Sequence, residues 1–154
     1  MANTYSQIYL QFVFAVKFRD SLISYDWEEL LYKYITGIVQ GNGQKMIAIN
    51  GMPDHIHLFI GMKPDCRPSD LVREVKKSST AFIKSKRLCQ SVFSWQEGYG
   101  AFSYSHSHLS KVADYIANQK QHHQRTGFKT EYLNMLKKFE IEFKDEYIFE
   151  FLFD

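Results

Sequence analysis

From residue 5 onward the chain alternates. In YSQIYLQFVFAVK, Ile8, Leu10, Phe12, Phe14 and Val16 fall on one face, and Tyr5, Gln7, Tyr9 and Gln11 on the other. A period of two held this long predicts a strand with one fully apolar face and one polar-aromatic face. The period then lengthens. SYDWEELLYKYITGIVQG places Trp27, Leu30, Leu31, Tyr34, Ile35, Ile38 and Val39 at i, i+3, i+4, i+7 intervals, the pattern of an amphipathic helix. Asp26 with Glu29 predicts its capped start, and Gly41 its stop. KMIAIN, NGMP and DHIHLFIG follow as strand, Asn-Gly turn and strand, a hairpin. Beyond Pro64 and Pro68, SDLVREVKKSSTAFIKSKR predicts a second helix. Leu71, Val75, Ser78 and Phe82 form its inward stripe, and Arg73, Lys76, Lys77, Thr80, Lys84 and Arg87 its outer one. Short strand material around SVFSW and YGAFSYS, a third helix over SHLSKVADYIANQKQHHQ and a fourth over TEYLNMLKKFEI complete the series. The order β-α-β-β-α-β with added C-terminal helices predicts an α+β, ferredoxin-like fold: an antiparallel sheet with two helices on one face. The opposite face is left for a third layer or a site.

The 154 residues hold no internal repeat, low-complexity segment or Pro/Gly-rich linker, so a single domain spanning residues 1–154 is expected. A hydrophobic share of 45% with 16% aromatics excludes a disordered chain. No apolar run approaches the roughly 20 residues of a membrane span, and MANTYSQIYLQF lacks the pattern of a signal peptide. Cys66 and Cys89, without metal-type spacing, fit a reducing compartment. A cytoplasmic protein is the expectation. The net charge of +2 is uninformative, but its distribution is not. Residues 61–130 carry 12 basic against 5 acidic side chains, and residues 131–154 carry 3 against 7. A basic middle is the footprint of a phosphate-binding surface, or simply a solvated face.

The chemistry concentrates in DHIHLFI. Ile56, Leu58 and Ile60 point to the face that the two amphipathic helices cover; His55, His57 and Phe59 point to the other, with Gln7, Tyr9 and Gln11. Two residues along a strand is about 6.5 Å. Imidazoles so placed can converge on one divalent ion through neutral nitrogens, or be hydrogen-bonded and inert. In VADYIANQKQHH, Tyr115 and Gln119 stack on one helical face about 6 Å apart, beside an apolar stripe of Val112, Ala113 and Ile116. Alone they are a rim pair. Next to two histidines they can act as a phenol nucleophile and an oxygen-donating ligand. Asp54 is expected to point away and to be structural. His106 and His108 lie in a Ser-rich turn. His122 and His123, one turn beyond Gln119, suit contact with DNA or a partner better than ligation. Arg73, Lys76, Lys77 and Lys84 fit sequence-blind phosphate contact. Trp95, Tyr99, Phe102 and Tyr104 suit stacking on unpaired bases, or core packing.

The chain resembles the single-tyrosine HUH transposases of small bacterial insertion sequences and their REP-associated relatives. HUH stands for His, hydrophobic, His, here His55-Ile56-His57. The resemblance extends through VFAVKFR, NGMPDHIHLFIG, SDLVREVKKSS, FSWQEGYGAFSYSHS, VADYIANQKQHH and FKTEYLNML, nearly the whole chain and in order. It implies transesterification of single-stranded DNA at hairpin-flanked ends. His55, His57 and Gln119 would hold one Mg2+ or Mn2+ ion, and Tyr115 would attack the scissile phosphate to give a 5′-phosphotyrosine. It also implies a homodimer in which the tyrosine helix of one subunit meets the HUH motif of the other. The acidic, aromatic tail EFKDEYIFEFLFD is expected to cover a sheet edge or to join that contact. Two alternatives remain: a non-catalytic or domesticated relative that binds hairpin nucleic acid, and a metal-dependent hydrolase that uses water.

Overall fold

Strand β1, Ile8–Ala15, runs through the middle of a four-stranded antiparallel sheet in the order β2-β3-β1-β4. In this computed structural model, residues 4–144 are described. The remaining elements are α1 (Glu28–Gly41), β2 (Lys45–Met52), β3 (His55–Met62), α2 (Pro68–Ser85), β4 (Gly100–Tyr104), α3 (Leu109–Ala117), α4 (Gln119–His122) and α5 (Phe128–Lys138). This is the ferredoxin-like order the periodicities predict. The tail from residue 145 lies outside the described residues.

The alternation of β1 divides the interior into two. Phe12, Phe14 and Val16 join Ile56, Leu58 and Ile60 of β3 under Leu31, Ile35 and Val39 of α1 and Leu71, Val75 and Ile83 of α2. On the reverse face, Val13 and Ala15 meet Phe102 beneath Phe128 and Leu136 of α5. Phe59 on that same face packs against Val112 and Ile116 of α3. The third layer is therefore filled, by the helices that follow the βαββαβ unit.

Several local expectations shift by a residue or more. The β2-β3 hairpin turns at Pro53-Asp54, not at Asn50-Gly51, which pair with His57 and Ile56 inside the ladder. Asn50 instead donates to the carbonyl of Ala117 (3.1 Å), tying down the end of α3. A Cβ on Gly51 would run into the His55 carbonyl oxygen, so the close strand approach requires glycine there. At the head of α1, Asp26 does not cap: the N-cap is Trp27, without a side-chain cap bond, and the turn before it is held by Ser24, whose Oγ accepts from the Asp26 amide (3.2 Å) and whose carbonyl accepts from the Glu28 amide (2.9 Å). The inward stripe of α2 uses Ser79 and Ile83 instead of Ser78 and Phe82. Phe82 stacks on Tyr34 of α1, with ring centroids 3.9 Å apart. Around SVFSW only Trp95 pairs, in an isolated bridge to Val16. The third helix breaks at Asn118 (φ −97°, ψ 20°), which separates Tyr115 on α3 from Gln119 on α4.

The stop after α1 is made by Gly43 (φ +81°), beyond Asn42, and not by Gly41. Only glycine holds that left-handed conformation without strain. Gly43→Ala is expected to cost about 1 kcal/mol, read as a lower urea midpoint, whereas Gly41→Ala should be neutral or mildly stabilising. Equal effects at the two positions would refute this assignment.

Candidate metal and tyrosine site

His55 and His57 sit on β3, on the face opposite α1 and α2, and neither has any exposed surface. Small neighbours make the room: His55 pairs with Ala15 across the ladder and His57 with Val13. Phe128 lies flat on the His55 ring at 3.7 Å. The Nε2 atoms of both histidines turn toward one point, and at that point stands a carboxylate. Glu131 Oε1 is 3.2 Å from His57 Nε2, 3.6 Å from His55 Nε2 and 3.0 Å from His123 Nε2. Gln119 is fully buried beside them, with Oε1 3.3 Å from His55 Nε2 and Nε2 donating to Glu131 Oε2 at 3.1 Å. The Tyr115 hydroxyl donates to the same Oε2 and lies 3.4 Å from His122 Nε2.

Outer partners fix the rings. His55 donates from Nδ1 to Asp54 Oδ1 (2.8 Å), and the Arg19 guanidinium steadies Asp54 from 3.6 Å. That bond keeps the proton on Nδ1 and leaves Nε2 as a free donor atom, the arrangement a metal-binding histidine needs. Behind His57, Gln11 Nε2 donates to Nδ1 (2.9 Å), and the Tyr104 hydroxyl donates to Gln11 Oε1 (2.8 Å). Turning the Gln11 amide end for end places a proton on His57 Nδ1 and frees Nε2 likewise, with Tyr104 then accepting.

Burial and charge decide the protonation states. Burial pushes His55 down to about 4 against the opposing pull of Asp54, so its imidazole is neutral near pH 7. Burial alone would raise the carboxyl of Glu131, but the hydrogen bonds from His123 and His57 outweigh it. Glu131 is held far below the usual carboxylate range. Burial first, and then the Glu131 carboxylate, push the Tyr115 phenol well above its ordinary value. Tyr115 is thus a protonated phenol whose proton already faces an acceptor.

The ligand atoms of His55, His57, His123 and Glu131 all lie within 4.8 Å of one another. Imidazole nitrogens and a carboxylate oxygen at that spacing suit a divalent metal ion. Outside, a cavity of about 350 Å³ between α3 and α5 leads down to Tyr115 and Glu131, with Lys111 and Lys138 among its lining. Both lysines are exposed.

His55, His57, Tyr115 and Gln119 therefore come together, as their spacing suggested. Tyr115 meets the histidines of its own chain. The basic residues of α2 do not join them, because α2 covers the other face of the sheet. There Arg73 pairs with Asp70 (2.6 Å) and Lys77 and Lys84 are exposed. Lys76 Nζ donates to the carbonyls of Gln96 and Gly98 (2.7 and 2.6 Å) beside the Phe14 ring, and burial draws its pKa down to about 8. Among the aromatics, Trp95 and Phe102 are core residues, Tyr104 stands behind Gln11, and Tyr99 is partly exposed. Asp54 corrects the expectation: the turn at Pro53-Asp54 swings its side chain back onto His55. His123 does too, lying inside the cluster. His106 and His108 remain in a short 3-10 turn, His108 bonded to Ser105 (3.0 Å). Glu131 was not anticipated. The signal was a carboxylate on the apolar stripe of its own helix, level with the buried Phe128 and Leu136.

Comparison with known proteins identifies relatives of this chain. The family described as IS200-like transposases matches residues 4–119. The ISDra2 transposase TnpA of Deinococcus radiodurans is 24% identical over 118 residues, which cover 73% of this chain and 84% of that protein. Among solved structures, a candidate transposase from Deinococcus radiodurans superposes with a TM-score of 0.62 at 24% identity, over 76% of this chain and 94% of that one. A REP-associated tyrosine transposase bound to a REP hairpin gives 0.60 at 18% identity, over 79% and 72%. At such identities these two structures establish the shared fold.

Proposed function

The chain belongs to the IS200-like transposase family, and from that premise we propose that it is a single-domain transposase that cuts and rejoins single-stranded DNA at hairpin-flanked ends. Tyr115 is the nucleophile, and His55, His57 and Gln119 hold a divalent ion, Mg2+ or Mn2+. The bound ion would polarise the non-bridging oxygens of the scissile phosphate. The Tyr115 oxygen forms a bond to phosphorus as the phosphorus bond to the 3′ oxygen breaks. The phenol proton is lost to solvent past the carboxylate it already faces, and the leaving oxygen takes a proton from solvent to become a 3′-hydroxyl. The resulting 5′-phosphotyrosine keeps the ester energy, so another 3′-hydroxyl can displace the tyrosine and reseal a strand without ATP.

The observation that carries this reading is the meeting of Tyr115 with His55, His57 and Gln119 around one carboxylate, at the foot of an open cavity. The REP hairpin bound by a protein of the same fold supports hairpin DNA as the partner. Lys77, Lys84 and Arg73 would contact DNA wrapping to the far face, Lys76 only after leaving its carbonyls, and a homodimer would present two such sites. Among the described residues no helix is long and apolar enough to cross a membrane.

The test is covalent capture. Incubation with hairpin-bearing single-stranded DNA and Mg2+ or Mn2+ should give a protein–DNA band that survives denaturing electrophoresis and disappears with a chelator. Cleavage without that band would identify a hydrolase. Binding with neither band nor cleavage would identify a hairpin-binding protein.

A further inference from the structure

Two of the groups at the focus of the histidine cluster come from beyond the family match, which ends at residue 119. We propose that Glu131 and His123 are metal ligands, completing with His55 and His57 a three-imidazole, one-carboxylate centre that favours a nitrogen-accepting transition-metal dication over Mg2+. The inference rests on His55 and His57 being ligands and extends that reading to the C-terminal segment.

Distances carry it first. Metal–nitrogen and metal–oxygen bonds of about 2.1 Å put adjacent donors of a tetrahedral or octahedral shell about 3.0–3.4 Å apart. Glu131 Oε1 lies 3.0, 3.2 and 3.6 Å from the three Nε2 atoms. The four ligand atoms span no more than 4.8 Å, close to the separation of about 4.2 Å between opposite donors. Burial carries it second. The side chains of Glu131 and His123 are 2% and 5% exposed, and those of His55 and His57 not at all. A carboxylate removed from water is stabilised by positive charge, and a dication would supply it among the four ligand atoms that converge here. The chain is shaped for this locally. Glu131 rides on α5, which Phe128 pins against the His55 ring. His123 follows α4 directly, its ring edge-on to His55 at 4.6 Å.

Donor chemistry then selects the ion. Mg2+ prefers an octahedron of oxygens and keeps its waters, whereas imidazole-rich sets suit Mn2+ less than Co2+ or Zn2+ but better than Mg2+. The Gln119 oxygen, 3.3 Å from His55 Nε2, is available as a fifth donor.

The test uses the full chain without DNA. Titration calorimetry with Mg2+, Mn2+ and Co2+ should show Co2+ and Mn2+ binding at least about tenfold more tightly than Mg2+. Glu131→Gln and His123→Ala should each weaken Co2+ binding by at least about tenfold, with circular dichroism confirming that each is folded. Proton NMR of the Co2+-loaded wild type should show three far-shifted, solvent-exchangeable imidazole N–H signals. This count decides the matter even where a variant fails to fold. Two signals, with binding unaffected by either substitution, would overturn this inference and leave the His55, His57 and Gln119 site standing. No binding of any of the three ions would overturn both.

Discussion

Tyr115→Phe is expected to abolish covalent capture of DNA by at least about a thousandfold while leaving hairpin binding within about twofold. The substitution removes only the attacking oxygen. The ring keeps its edge-on contact with His57, 6.0 Å between centroids, and its packing beside Val112 and Ile116. Glu131 Oε2 loses one donor but retains the Gln119 amide at 3.1 Å and His122 at 3.3 Å, so no carboxylate is stranded in the interior. Stability should change by less than about 1 kcal/mol, and an unchanged urea midpoint would confirm that the loss is chemical. A variant that still forms the covalent band would transfer the nucleophile to another residue. One that still cuts without the band would make water the attacking group.

Acid should begin to destabilise the protein well above the pH at which carboxylates normally protonate. The folded pKa of His55 is about 4, below its ordinary 6.5, because burial disfavours the imidazolium. As pH falls from about 6.5, the unfolded chain takes up this proton before the folded one does, and protonation therefore favours unfolding. The stability is fully present above about 6.5 and is lost as pH approaches 4, amounting to up to about 3 kcal/mol from this residue. Asp54 and Glu131, both held below the usual carboxylate range, add losses of the same sign lower still. Urea midpoints at pH 7.5, 6 and 4.5 should decline progressively. A midpoint flat from 7.5 to 4.5 would mean that His55 is already charged in the folded protein.

Most of the scaffold is legible in the chain, because one face of every strand and helix must be apolar. The alternation of Ile8 to Val16 and the stripe from Trp27 to Val39 leave few other choices of period. What periodicity cannot resolve is a shift of one residue. Ser78 and Ser79 are chemically alike, and only the Trp95 indole, donating to Ser79 Oγ at 3.0 Å, distinguishes them. The Asn-Gly pair is a favourable turn sequence, but strand register moves the turn to Pro53-Asp54. His55 and His57 are readable because β3 imposes their common direction. Tyr115 and Gln119 share a helical face by spacing even though the helix breaks between them. Glu131 and His123 are not readable, since their role depends on how α5 docks across a sheet face some 70 residues away in sequence. A buried acid on an apolar stripe was the one available clue.

That distance in sequence has a consequence for timing. His57 and Glu131 are 74 residues apart, and the four clustered side chains span β3 through α5. The sheet can close once β4 is made, but α5 must also be synthesised and packed before the cluster exists. At about 5–20 residues per second, a chain still on the ribosome spends seconds with both histidines in place and no complete centre. Premature termination between residues 57 and 131 would yield a fragment that holds the HUH motif but lacks the carboxylate at the focus of the cluster. The cluster is thus completed only by a helix made well after the sheet that carries its histidines.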